Sequence, residues 1–407
     1  MVKSIVVIIL LLTLNFSSFE DKIPDYLKEN EKVVNVDFFN VYGKSFNIEG
    51  SFEDGGNVID LNLVLEGEVK YSFPLKYKIE NGKINYQLNK NINEGINLEE
   101  ITPGTYQVIL EIFHSDTPVK ASLVNANDVA DVEYYTFNND GLSNKIVTIS
   151  KDKSFFLSVV EGVTPNNVFD IVIDPGHGGS DTGPVIDGYA EKDFNLKYAL
   201  DLEVKLSALG YKVKLTRYDN EVNIPTYGLN SRVGMPYETK AKIFLSLHFN
   251  NIVSEQRFYG TEIYAAPNLN LDFAKKLADN IVEYGNGSYS PSQFSKVMNG
   301  VYVRNFKSYQ IDEFRKMFDE KNTPFYESIS TSTPYYFVIR ETGGLMTGAY
   351  VDGRDDRYDE NPYYRSNIAA EAYLIEYAYM SDPSDLNKII NNMDGFNKGV
   401  IESIINY

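Results

Sequence analysis

Two of the three histidines sit in short segments framed by glycine or serine. They are His177 in Asp174-Pro175-Gly176-His177-Gly178-Gly179 and His248 in Ser246-Leu247-His248-Phe249-Asn250. Glu191, in Ala190-Glu191-Lys192-Asp193, lies between them. Two imidazoles and one carboxylate around an open fourth position are the ligand set of a hydrolytic zinc centre, one Zn2+ per chain. Glu376 also stands out, because it interrupts the apolar run Leu374-Ile375-Glu376-Tyr377-Ala378-Tyr379. An ionised carboxylate is costly to bury without a partner. Beside a metal-activated water it would serve as general base and then general acid; on an edge strand it would simply face solvent. Asp174 and Asn250 have two readings of equal weight, as acceptors for the second imidazole N–H or as ordinary turn residues. His114 has no carboxylate or second histidine patterned around it and reads as a structural or surface histidine.

These residues need a scaffold that brings them together. From Val168 onward the sequence alternates between strand and helix. Phe169 to Ile173 is a continuous apolar strand, as expected where a sheet is buried on both faces. Leu196, Ala199, Leu202, Leu206 and Leu209 recur at helical spacing, and Gly210 reads as the stop. Further strands are expected at Tyr211–Thr216, Ile243–Leu247, Thr261–Ala265, Pro334–Ile339 and Ala372–Tyr377, and helices near Leu271–Val282, Ile311–Asp319 and Phe396–Ile405. The pattern implies an open, mostly parallel α/β sheet over 168–407. In such sheets ligand sites gather beyond the carboxyl ends of strands. His177 and His248 each follow a strand, and the loop to Glu191 is long enough to fold back. The Tyr-, Ser- and Asn-rich span from about 285 to 365 reads as an insertion over the site rim.

Residues 30–165 read differently. Short, partly alternating apolar runs punctuated by Gly55-Gly56, Asn81-Gly82 and Pro103-Gly104 imply an all-β domain, an immunoglobulin-like sandwich with no assigned binding role. At 407 residues, two domains after a leader is the natural division. The leader itself spans residues 1–18. Lys3 precedes an apolar stretch from Ile5 to Leu14, shorter than the ~20 residues a bilayer span needs and matching a signal-peptide core. The polar exit Asn15-Phe16-Ser17-Ser18 is a poor cleavage site, so retention as a membrane tether is the other outcome. Either way the chain is exported, to the extracellular space or the cell wall. The absence of cysteine rules out a disulfide framework, thiolate ligands and a cysteine nucleophile. A net charge of -19 repels phosphate backbones and argues against nucleic acid as a partner. Nothing in the sequence specifies an oligomeric state.

Taken together, separated segments in order match one family. They are Asp174-Pro175-Gly176-His177-Gly178-Gly179, Glu191-Lys192-Asp193-Phe194-Asn195-Leu196, Leu215-Thr216-Arg217, Ser246-Leu247-His248-Phe249-Asn250, Gly260-Thr261-Glu262-Ile263-Tyr264 and Leu374 to Asp382. From Val168 to Tyr407 the chain resembles zinc-dependent N-acetylmuramoyl-L-alanine amidases of the amidase-3 type, which are bacterial cell-wall hydrolases. The resemblance implies that His177, Glu191 and His248 hold zinc and that Glu376 is the catalytic glutamate. It implies peptidoglycan as substrate, cut between the lactyl group of N-acetylmuramic acid and L-alanine of the stem peptide. Asp382 stands where the family commonly has asparagine, and the span before the last motif is longer than usual. Arg340 and Arg365 in that region are positioned either to meet stem-peptide carboxylates or to form salt bridges.

Two other readings compete. A zinc carboxypeptidase acting on stem peptides would carry a His-x-x-Glu spacing, which requires glutamate at position 180, where Ser180 stands. A wall-binding or regulatory protein with an amidase-like fold would be expected to have lost a ligand or the glutamate.

Overall fold

In the computed structural model the described residues are 32–407 except 89–94, 126, 128, 130, 152–153, 227, 267–269, 322–328 and 343–367. The leader at 1–18, Arg365 and the last part of the expected insertion lie outside them. Among the described residues no helix is long and apolar enough to cross a membrane.

The second half of the chain builds a seven-stranded mixed sheet. Its strands are β1 (Ile171–Pro175), β2 (Val213–Leu215), β3 (Ile243–Asn250), β4 (Glu262–Tyr264), β5 (Lys296–Met298), β6 (Val301–Tyr302) and β7 (Glu371–Tyr379). Their spatial order is β2-β1-β3-β7-β4-β6-β5. The pairs β2–β1, β1–β3 and β3–β7 are parallel, whereas β4 runs antiparallel to β7. The helices are α1 (Glu191–Ala208), α2 (Met235–Glu238), α3 (Leu271–Tyr284), α4 (Ser308–Lys321), α5 (Phe337–Thr342), α6 (Pro383–Asn391) and α7 (Met393–Ile405).

Strand periodicity decides what each face of this sheet does. Odd-numbered residues Ile171, Ile173, Ile243, Leu245, Leu247, Tyr373, Ile375 and Tyr377 pack against α1, α3 and α7 in one large core. Even-numbered Val172, Phe244, Ala372, Leu374 and Tyr264 build a second core on the opposite face. Further along the same even face come Asp174, Ser246, His248 and Glu376. That face is therefore apolar where the strands begin and chemical where they end.

Two differences from the expected elements have plain causes. Pro334–Ile339 is not a strand: its second half opens α5, with Ile339 N–H and Arg340 N–H both donating to the Tyr336 carbonyl at 3.1 Å. A short buried apolar run does not distinguish strand from helix by periodicity. The span after 285 is not wholly an insertion either, because β5 and β6, joined through Asn299-Gly300, extend the sheet. These strands are too short to show a period, although the Asn-Gly turn marks their hairpin. Leu209 also falls outside the buried stripe of α1, being 53% exposed just past the helix end.

The first half of the chain is all strand apart from one 3-10 turn, among the described residues. Its strands run from Lys32 to Val163 around a separate apolar core and belong to a hydrogen-bonded network of 13 strands. One member comes from the far end of the sequence: Ile368–Ala369, just before β7, pairs in parallel with Val41–Tyr42. A buried polar joint links the two halves. The Lys242 ammonium lies 2.9 Å from Asp170 Oδ1, with side chains 0% and 1% exposed, and Asn138 and Lys212 donate their backbone N–H groups to the same carboxylate. Removing one partner of such a pair strands the other charge. Lys242→Met is expected to lower unfolding stability by about 3–5 kcal/mol, whereas Asp170→Asn with Lys242→Met recovers part of the loss. Urea denaturation of the three proteins measures both effects, and a single variant as stable as wild type would refute the joint's importance.

Candidate metal centre

His177 lies two residues beyond β1 in a tight turn and adopts φ +58, the left-handed region. Two arginines hold this turn by its carbonyl groups. Arg217 donates from Nε to Pro175 O at 2.9 Å and from Nη2 to Gly176 O at 2.9 Å. Arg232 donates to Pro175 O at 3.0 Å and to the carbonyl of His177 itself. Glycine at 176 is required by close approach, since a Cβ there would stand 2.2 Å from His248 Cε1. Gly183 is constrained similarly: its φ is +61, and a Cβ would lie 2.7 Å from His177 Cδ2 and 2.9 Å from Glu191 Oε2.

Glu191 is the first residue of α1, where the helix N-terminus favours a carboxylate. It is 2% exposed and bridges the two imidazoles. Oε2 lies 3.0 Å from His177 Nε2, and Oε1 lies 3.0 Å from His248 Nδ1. Phe249 N–H also donates to Oε1 at 3.0 Å. The two rings are 5.0 Å apart, nearly perpendicular at 78°. Burial alone would raise the Glu191 pKa, but hydrogen bonds and charge from His177 and His248 outweigh it and hold the carboxylate well below its usual range. Burial lowers the His177 pKa; Glu191 and Asp181 raise it by more.

The donor atoms of His177, Glu191 and His248 all lie within 4.8 Å of one another. Ligands about 2.0–2.1 Å from a tetrahedral zinc stand roughly 3.3 Å apart, so this spacing suits one ion. His248 is not beyond its strand, as the sequence suggested, but within β3. His177 Nδ1, the nitrogen turned away from Glu191, lies 2.8 Å from Asp181 Oδ2. That carboxylate does what Asp174 and Asn250 were candidates to do, fixing an imidazole through its second nitrogen. Asp174 touches neither imidazole in a hydrogen bond: it accepts from Thr216 Oγ1 at 2.6 Å, from Ser246 Oγ at 2.9 Å and from Arg232. Asn250 donates to Glu262 Oε2 at 3.0 Å.

Glu376 is half-buried on β7, paired in register with His248 on one side and Glu262 on the other. It lines a cavity of about 440 Å³ together with His177, Glu191, His248, Asp181 and Arg232. Among the described residues its Oε2 has no hydrogen-bond partner. Burial pushes its pKa well above the ordinary carboxylate range, and the charges of Glu191 and Glu262 add to the effect. Glu262 is 1% exposed and fully engaged, accepting from Tyr264 Oη and Tyr379 Oη at 2.7 Å.

Arg340 does not reach this cavity. It is 3% exposed, 2.9 Å from Glu341, and donates to Tyr335 O at 2.6 Å. Of its two expected roles the structure supports the salt bridge. His114 pairs with Asp54 at 2.9 Å in the first half of the chain, away from the centre. Sequence reasoning assigned no role to Asp181, Arg232 or Glu262. Asp181 was findable as a carboxylate four residues after His177, and Glu262 as a charge in a strand.

Residues 171–406 match the sequence profile of the N-acetylmuramoyl-L-alanine amidase family. The chain is 35% identical over 111 residues to N-acetylmuramoyl-L-alanine amidase LytC of Bacillus subtilis, covering 27% of this chain and 21% of LytC. It is 38% identical over 95 residues to N-acetylmuramoyl-L-alanine amidase AmiC of Neisseria meningitidis, covering 23% of this chain and 22% of AmiC. The matched region thus spans about a fifth of these relatives. The catalytic domain of the N-acetylmuramoyl-L-alanine amidase CwlV from Bacillus (Paenibacillus) polymyxa aligns at 22% identity and a TM-score of 0.37, covering 58% of this chain and 99% of that one.

Purified protein is expected to bind about one zinc per chain, and His177→Ala to bind none above background. Asp181→Ala removes only the exposed outer partner and should weaken zinc binding by about 10–100-fold. Competition against a chromophoric chelator checks both, and an Asp181→Ala protein with wild-type affinity would show that this carboxylate is idle.

Proposed function

The chain belongs to the N-acetylmuramoyl-L-alanine amidase family, and from that premise we propose that it is a zinc-dependent peptidoglycan hydrolase. The bond cut is the amide joining the lactyl group of N-acetylmuramic acid to L-alanine of the stem peptide. The observation that carries this reading is the free carboxylate oxygen of Glu376 in the same cavity as His177, Glu191 and His248.

The chemistry supplied at a centre of this kind is Lewis-acid polarisation of a carbonyl and acidification of water. The chain's own residues do the rest. Glu191, His177 and His248 present three preorganised donors from a helix start, a turn and a strand. Glu376 takes a proton from the attacking water as its oxygen adds to the amide carbon. It then passes that proton to the alanine nitrogen as the C–N bond breaks. Glu262, held by two phenols, keeps a negative neighbour beside Glu376 and so helps to hold the pKa up.

The wall-binding and carboxypeptidase readings are weaker. All the residues needed for turnover are present, and Ser180 occupies the position where a carboxypeptidase motif needs glutamate. Export by the leader at 1–18 fits a wall substrate, with cleavage placing the enzyme outside the cell and retention tethering it to the membrane. Residues 30–165 are proposed to be an immunoglobulin-like domain ahead of the catalytic domain at 168–407.

Mass spectrometry of digested cell wall should reveal new L-alanine amino termini and free lactyl carboxylates. Glu376→Gln is expected to keep zinc while losing about 10²–10⁴-fold in turnover. Cleavage at a peptide bond inside the stem instead would sink the bond assignment, and full activity in Glu376→Gln would sink the role of the glutamate.

A further inference from the structure

Strand periodicity puts Leu374 on the same face of β7 as Glu376, one row away. Across the sheet the two rows read His248, Glu376, Glu262 and Ser246, Leu374, Tyr264. Leu374 lines the catalytic cavity with Glu376, whereas Ala378, two residues beyond the glutamate, packs into the core on the opposite face. Along β7 the cavity therefore extends from Glu376 toward Leu374. Two side chains of α5, Phe337 and Val338, line the same cavity and pack with Leu374 in one apolar cluster. Val338 and Leu374 are 3% and 4% exposed, so they offer a closed wall and not a deep slot. The charged groups Asp181 and Arg232 instead gather at the His177 turn, where they contact the His177 ring nitrogen and carbonyl.

The proposed reaction orients the substrate against this wall. Glu376 hands its proton to the alanine nitrogen, so the nitrogen half of the scissile amide lies on the Glu376 side. The carbonyl half belongs at His177, Glu191 and His248. One bond beyond the nitrogen stands the alanine Cα with its methyl, a group that gains only from apolar contact. Alternate residues on one face of a strand are about 7 Å apart. A hydrogen bond from Glu376 to the nitrogen, followed by Cα and the methyl, covers that distance and brings the methyl to the neighbouring row.

We propose that Leu374 and Val338 determine specificity for the first stem residue: together they form a wall that accepts the methyl of L-alanine and turns away larger side chains. The segment between β6 and β7 thereby shares in substrate choice through α5. This inference rests on the amidase reading and deepens it.

The test is steady-state hydrolysis, by the full zinc-loaded chain, of N-acetylmuramoyl peptides that differ only in the first residue: L-alanine, glycine or L-leucine. Wild type should prefer alanine to glycine by about 3–10-fold in kcat/KM, and alanine to leucine by about 10-fold or more. Leu374→Ala opens the wall and should shrink the alanine-over-leucine ratio by about 10-fold, with an absolute gain on the leucine peptide. Val338→Ala should shift the ratio in the same direction and carries the test if Leu374→Ala does not fold. Both variants lose core packing and are expected to melt at lower temperature. A purely structural loss lowers kcat/KM for all three peptides together and leaves the ratios where they were, which overturns the proposal. A wild-type enzyme that cuts the leucine peptide as well as the alanine peptide overturns it too. A wild-type enzyme that leaves all three intact refutes the amidase reading, and the wall falls with it; that outcome is distinct from an unchanged ratio.

Discussion

One carboxylate ties the centre together. Glu191 accepts from both imidazoles and from the backbone of β3, while Asn195, one turn further along α1, donates to Glu191 at 3.3 Å and to the Gly176 carbonyl at 3.1 Å. A helix start, a turn and a strand, far apart in the chain, thus converge on two oxygens. Such convergence is costly unless the charge is paired, because a buried carboxylate with unfilled lone pairs is strongly penalised. Here each oxygen has an imidazole N–H in reach, and the helix N-terminus adds favourable potential. The same arrangement would preorganise the candidate metal site. The three donor atoms sit together before any ion arrives, so binding has little reorganisation to offset.

The sheet explains why these residues meet at one rim. In each strand, successive side chains alternate between a face packed by helices and a face that changes character along its length. Asp174 sits on this second face and never reaches an imidazole, yet it organises the floor. By accepting from Thr216, Ser246 and Arg232 it ties β1 to β3 and holds the arginine that braces the His177 turn. Burial would raise the Asp174 pKa, but the Arg232 charge and the two hydroxyls outweigh it and keep the carboxylate ionised.

What could be read from the chain follows from which signals are local. That His177 and His248 would converge with Glu191 was legible because histidine is scarce and both copies of interest come after apolar runs. Glu376 was legible because a charge inside an apolar run demands a reason. Second partners were harder, since Asp174, Asn250 and Asp181 are all plausible acceptors until the turn's path is known. Arg340 shows why a role near the site could not be chosen from sequence: of its two expected roles the salt bridge is the one observed, since this cation lies buried against Glu341 and the Phe306 ring. The departure at Asp382 has a simple account. Its side chain caps α6 by accepting from Ser384 and Asp385 N–H at 3.1 Å, a role asparagine fills equally well. The carboxylate adds an ion pair with Arg257.

The all-β half bears on this centre through β7. Ile368–Ala369 belongs to the first sheet, and after one intervening residue the same chain enters the second as β7, which ends beyond Glu376. The strand's start is held from several directions. Ala369 accepts from Gly43 N–H at 3.0 Å, and Glu371 N–H donates to the Lys242 carbonyl at 2.8 Å. The Lys44 ammonium donates to the Tyr407 carbonyl at 2.6 Å and so ties the chain's last residue to the first sheet. Lys242 also forms the buried pair with Asp170, so the residue that aligns β7 is the one that joins the halves. A shift of the first sheet would therefore move the start of the strand that delivers Glu376. The first half is part of the scaffold that sets this carboxylate against His177, Glu191 and His248.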